Sequence, residues 1–171
     1  MSKQSICAFA PATIANLNVG FDILGMALST IGDKVEVTFN SGSENRVLEI
    51  IDGPGIPIDA AKNCCSVVIQ KMQKKLGVTE GVDIRIKKGL PSGSGLGSSS
   101  ASSAAAAYAY NELVGKPFSL SELVLFASEG ERAACGFAHY DNVAPAILGG
   151  LVLIQNQHFI SLPISEALHV V

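Results

Sequence analysis

An α+β fold, one sheet packed against helices, is what this sequence predicts. Three observations carry it. Residues 34–39 and 82–86 alternate polar with apolar side chains, the period of half-buried strands. Two helices announce their starts: Asn63 precedes a stripe of Cys64, Val68, Met72 and Leu76, and Ser119 stands three residues ahead of Glu122, a capping box. Between these helices a glycine-serine stretch, residues 90–107, passes from a loop into a helix of very small side chains.

Composition narrows the class further. The chain has 171 residues, enough for one large domain with a real core. Apolar residues make up 48 % and charged ones 16 %, which excludes a disordered chain. A formal net charge of −3 counts against a nucleic-acid surface. Apolar runs such as residues 149–154 are too short to cross a bilayer, and the N-terminus lacks the apolar centre of a signal peptide. The expected setting is the cytoplasm, with no nucleic-acid or membrane partner. Cys7, Cys64, Cys65 and Cys135 form no C-x-x-C pair and read as reduced thiols of the core.

In chain order, residues 5–10 read as a first strand closed by Pro11, and residues 11–20 as a loop or short irregular helix. Asp22 sits among apolar neighbours and needs a partner, either a local turn or a ligand. Strands follow at 34–39 and 47–51, with Val35, Val37 and Phe39 on one face. The helix begun at Asn63 runs to about Leu76 and stops at Gly77. After the strand at 82–86 come the glycine-serine loop and a helix over 98–114. The helix from Ser119 runs to about Cys135, with Glu129 and Glu131 opposing the dipole at its end. Those acids call for a cationic partner, Arg132 or one from outside the helix. A polar cluster at 139–142 precedes strands at 150–154 and 159–162, and residues 168–171 read as the start of another strand.

The glycine-serine stretch has the chemistry of a phosphate cradle. Gly93, Gly95 and Gly97 can bring the backbone against a ligand, and residues 98–100 open a helix whose unpaired N–H groups favour an anion. No lysine lies between Gly89 and Gly115, which excludes the P-loop. The spacing G-x-G-x-G excludes the dinucleotide fingerprint. On composition alone a flexible linker or a packing turn fits equally well.

Three segments decide between these. Residues 11–22 (Pro-Ala-Thr-Ile-Ala-Asn-Leu-Asn-Val-Gly-Phe-Asp) resemble the first motif of the galactokinase, homoserine kinase, mevalonate kinase and phosphomevalonate kinase (GHMP) superfamily. Residues 91–101 resemble its ATP-phosphate loop, and residues 139–145 with Gly149 and Gly150 resemble its homoserine kinase branch. The resemblance implies an N-terminal domain with a ribosomal-protein-domain-like sheet and a left-handed βαβ crossover, contrary to the usual handedness. It implies ATP and Mg²⁺ as cofactors and phosphoryl transfer to the hydroxyl of L-homoserine, a step toward threonine. Residues 1–165 would be the ATP-binding domain and 166–171 the start of a second one, so the chain is read as an incomplete enzyme; a homodimer is left open.

Residue by residue, the resemblance assigns the nucleotide to Pro91, Ser92, Gly93, Ser94, Gly95, Leu96, Gly97, Ser98, Ser99, Ser100 and Ala101. Asn63 is either an adenine contact or only a helix cap. Ser99 and Glu131 are the Mg²⁺ ligands, and Asn142 joins them as catalytic. Asn16, Asp22, His139 and Asn142 hold the substrate, with Asp22 meeting its ammonium group; Asp141 caps or orients its segment. Thr13 takes the position of the mevalonate kinase lysine, and Asn142 that of an acceptor-side aspartate. This neutral pair argues against mevalonate or galactose as acceptor. The alternatives are another kinase of the superfamily, of mevalonate-pathway type, or a non-catalytic nucleotide-binding module.

Overall fold

A computed structural model describes residues 4–18, 20–91, 93–137, 139–165 and 167–170. Its elements follow the order β1 (Ser5–Leu17), β2 (Gly20–Phe39), β3 (Arg46–Ile51), α1 (Cys64–Leu76), β4 (Val82–Lys87), α2 (Ser98–Leu113), α3 (Leu120–Cys135), α4 (Tyr140–Leu148), β5 (Leu151–Gln155) and β6 (His158–Leu162). The sheet runs β3-β4-β2-β5-β6, with β1 also paired to β2. The long strand β2 organises it: Val35 faces Ala8 on β1 and Ile86 on β4, while Gly25 faces Ala15 on β1 and Val152 on β5. The pair β3/β4 is parallel, and its crossover passes through α1.

The core lies between the sheet and the helices. Val35, Val37, Val82 and Ile84 enter from the sheet, Val68, Ile69 and Met72 from α1, and Leu123 and Val124 from α3. Helix α2 runs through the middle, and Ala101, Ala104, Ala105, Ala106, Ala107 and Ala109 have no exposed surface. Its small side chains let β1, β2, α1, α3 and α4 all approach its backbone. That is why a helix with little apolar bulk of its own becomes the most buried element. The stripe expected on α1 is turned by about one residue: Cys65, Val68, Ile69 and Met72 are fully buried, whereas Cys64 and Leu76 are half-buried.

Both helix entries form as expected. Asn63 accepts from the Cys65 amide, and α1 ends on Gly77 at φ +69°. Ser119 and Glu122 close the full capping box on α3. Ser119→Ala is expected to lower stability by about 1 kcal/mol, measured as a shift in chemical-denaturation midpoint at constant slope.

Three expectations are corrected. Residues 11–17 continue strand β1 through Pro11: among the described residues β1 pairs with β2 alone, an edge position that tolerates a proline, and the register shifts between Pro11 and Thr13. The polar cluster at 139–142, left without an element by the sequence, supplies the N-cap His139 and the first turn of helix α4. Leu168 and Val170 carry no strand, and Val171 lies outside the described residues. Among the cysteines, Cys65 is buried and Cys64 half-buried, but Cys7 and Cys135 are exposed.

Candidate active site

Helix α2 begins without a side-chain cap. Its N-cap is Gly97 at φ +64°, and the Ala101 amide donates to the Gly97 carbonyl to close the first turn. The amides of residues 98–100 therefore head the helix with no intrahelical partner, at the positive end of the dipole. Ser98 and Ser99 border a cleft of about 660 Å³ that is also lined by Gly93, Ser94, Gly95 and Gly97 of the loop and by Glu131 and Asn142. A hollow of about 580 Å³ along the outer edge of β1 touches none of these loop residues.

Glu131, brought in by α3, completes one wall. Its Oε1 accepts from Ser99 Oγ at 3.0 Å and its Oε2 from Ser100 Oγ at 2.7 Å. The two expected cation ligands thus stand side by side at the head of α2. The acid that opposed the α3 dipole has its partners on α2, while Glu129 pairs with Lys71 at 3.1 Å and Arg132 at 3.5 Å. A hydroxyl and one carboxylate next to a phosphate site are the donor set a hard, octahedral cation uses when phosphate and water supply the rest. Among the described residues, no cluster of three His, Cys, Asp or Glu side chains forms a protein-only metal cage.

The other two motifs meet this loop at Thr13. The Thr13 amide donates to the Leu96 carbonyl at 3.0 Å, and its hydroxyl donates to Asn142 Oδ1 at 2.9 Å. One buried residue of β1 thus ties the loop and α4 together. A Cβ on Gly97 would stand 2.1 Å from Thr13 Oγ1 and 3.0 Å from Asn142 Oδ1, so the junction is closed to any larger residue.

At the start of α4, His139 Nδ1 lies 3.4 Å from Asp22 Oδ1, and the Asp22 amide donates to Asn16 Oδ1 at 3.1 Å. Asn16, Asn18 and Asp22 have φ between +53° and +57°, a left-handed conformation that Asn and Asp tolerate best. Asp22 and His139 therefore share one face, three residues along α4 from Asn142. Helix α4 comes close to β2 because Pro145 cannot donate to the Asp141 carbonyl, and that carbonyl lies where Gly25 lacks a Cβ.

Asp141 is only 2 % exposed, and its Oδ1 accepts from the Asn142 amide at 3.0 Å. Burial pushes its carboxyl up, with Asp22 adding to the rise and His139 opposing it. A carboxyl raised in the folded state favours folding below its unfolded pKa, and that advantage is lost as pH climbs through the folded value. Asp141→Asn keeps the acceptor oxygen and removes the buried charge. Its melting temperature is expected to exceed the wild type at pH 7, with the gap closing as pH falls through the carboxylate range.

Not every expected residue faces the cleft. Asn63 is fully buried, its Oδ1 used by the Cys65 amide and its Nδ2 by the Pro57 carbonyl at 2.8 Å; it acts as a cap that holds Pro57 in the cleft wall. Ala101 packs beside Ala12 and Leu90, with Leu96 against them, and Pro91 borders a smaller neighbouring hollow. Ser92 lies outside the described residues. Conversely, Lys62, Cys64, Lys88 and Cys135 line the cleft without having been expected there. Lys88 had a sequence signal: it continues the inward parity of Val82, Ile84 and Ile86.

Residues 62–150 match the sequence model of the GHMP kinases N terminal domain. The chain is 43 % identical over 164 residues to a homoserine kinase of Chlorobium phaeobacteroides, covering 90 % of this chain and 51 % of that protein. The crystal structure of homoserine kinase from Cytophaga hutchinsonii superposes with a TM-score of 0.91 at 43 % identity, over 96 % of this chain and 54 % of the other. The Methanococcus jannaschii mevalonate kinase shares the fold at TM-score 0.67 and 17 % identity, over 95 % of this chain and 56 % of the other. The chain thus spans about half the length of the curated relatives it matches. With the glycine-serine loop, the Thr13 junction and the family match in agreement, this chain belongs to the GHMP kinases, through their N-terminal domain.

Proposed function

We propose that this chain is the nucleotide-binding part of a homoserine kinase, which transfers the γ-phosphate of ATP to the hydroxyl of L-homoserine and yields O-phospho-L-homoserine for threonine biosynthesis. The observation that carries the reading is the Thr13–Asn142 hydrogen bond beneath the loop. Neither side chain can take a proton from an acceptor hydroxyl at neutral pH. With Oδ1 held by Thr13, the Asn142 Nδ2 donors are left for the acceptor or a phosphate oxygen. A loose phosphoryl-transfer transition state needs positioning and charge neutralisation more than a base. The 43 % identity to homoserine kinases supports the same branch.

The triphosphate lies on the amides of residues 93–100. Ser99 and Glu131 hold Mg²⁺, which when bound offsets charge on the phosphate oxygens. Asp22, oriented by Asn16, takes the substrate ammonium, and His139 borders it. In this reading residues 1–165 form the ATP-binding domain, a second domain completes the pocket around the substrate carboxylate, and the enzyme works in the cytoplasm.

The test is ADP release by the full-length protein with homoserine and mevalonate in parallel. Turnover with homoserine and little with mevalonate is expected. Equal rates, or none with homoserine, would overturn the assignment.

A further inference from the structure

Below the loop lies a polar cluster that the reaction scheme above leaves unused. Lys88, one residue past β4, is 4 % exposed, and Asp33 on β2 is 0 % exposed. They form a buried ion pair. Continuing the register Lys34↔Lys87 by one step sets the two opposite each other across the strands. Lys88 Nζ also donates to the Ser98 carbonyl at 2.9 Å and to Ser102 Oγ at 2.7 Å. Ser102 Oγ in turn donates to Asp33 Oδ2 at 2.6 Å, and Asp33 Oδ1 accepts from the Gly89 amide at 2.9 Å.

An ammonium has three protons, and here all three are directed at protein acceptors. Although Lys88 borders the cleft, its charge is answered by Asp33 and its donors are spent on helix α2 and the sheet. It is therefore placed differently from a lysine that reaches into a phosphate. Its acceptors on α2, Ser98 and Ser102, are four residues apart and so share one face of the helix. Fixing that face against β2 and β4 fixes the rotation of the first turn. Ser99 and Ser100 are thereby turned toward Glu131. The Asp33 contact to Gly89 pins the other end of the loop.

We infer that Lys88, Asp33 and Ser102 are positioning residues: a buried clamp that sets the rotation of α2, so that the amides of residues 98–100 and the Ser99 hydroxyl face the nucleotide phosphates. The inference rests on the nucleotide reading above. It assigns no phosphate contact to Lys88.

The experiment uses the charge-balanced double variant Asp33→Asn/Lys88→Met, which keeps the Gly89 acceptor and leaves no unpaired buried charge, beside the single variant Ser102→Ala. In the full-length protein the double variant is expected to raise KM for ATP at least tenfold and Ser102→Ala at least threefold. KM for homoserine should change little, and Ser102→Ala, which loses two buried hydrogen bonds, should melt lower but remain folded at the assay temperature. Amide exchange over residues 98–102 should rise while the rest of α2 stays protected. A folded double variant with unchanged KM for ATP overturns the clamp, and so does an equal loss for both substrates. Should the double variant not fold, an unchanged KM for ATP in Ser102→Ala overturns it alone. A wild-type protein that shows no ATP binding overturns the nucleotide reading instead, and exchange over residues 98–102 still reports on the clamp.

Discussion

Glu131→Gln is expected to lower kcat of the full-length enzyme by about 10²–10³-fold, the loss typical of removing one preorganised electrostatic group. The substitution keeps the size of the side chain and an oxygen that can accept from Ser99 or Ser100, so the cleft keeps its shape. What disappears is the negative charge that, in the proposed function, would hold a cation against the phosphates. Stability should hold or rise slightly, because a carboxylate near the end of α3 opposes the helix dipole. Loss of turnover without loss of stability marks a residue retained for chemistry. A parallel fall in both would make Glu131 a packing contact between α2 and α3. The measurements are steady-state ADP release and thermal unfolding on the same preparations.

Gly97→Ala should damage binding and fold together. The left-handed conformation costs an alanine about 1–2 kcal/mol, and the new methyl would stand 2.1 Å from Thr13 Oγ1. Either the loop lifts from β1 or Thr13 leaves Asn142; both open the junction. Affinity for MgATP, read by titration calorimetry, is expected to fall at least tenfold. The double variant Thr13→Ala/Gly97→Ala removes the atom that is struck, so it should regain part of the lost stability. It should not regain turnover, because Asn142 is then no longer oriented. Non-additivity of this size is the signature of residues in direct contact.

Much of this architecture is legible in the residues. The caps at Asn63 and Ser119, the alternation of 34–39 and 82–86, and the small-residue helix after the loop all report local physics, and each forms where that physics puts it. Strand β2 shows the limit. Its first half, residues 20–32, has no alternation and is held by pairing with β1 and β5, which no local pattern encodes. Pro11 misleads for the same reason, since a proline stops a strand only where its N–H is needed. Helix α4 carries a proline and a polar start, and its place follows from a backbone approach at Gly25.

The site divides along similar lines. Ser99, Glu131, Thr13 and Asn142 were nameable from the motif resemblance, yet only the fold shows that Thr13 joins the loop to α4. Asn63 was half legible: its capping role is local, and its burial, which turns the amide inward, is tertiary. Lys88 and Asp33 were legible in parity but easy to pass over. Each is a charge on an inward position, and each is tolerable only because the other stands opposite.

In the proposed function a nucleotide triphosphate rests on the first turn of α2 with Glu131 beside it. Backbone amide shifts recorded by NMR during an MgATP titration address it most directly. The largest changes are expected at residues 93–100, at Glu131 and at Asn142, with little at the lysine-bearing end of α1. Changes centred on the outer edge of β1, or on Lys74 and Lys75, would contradict it.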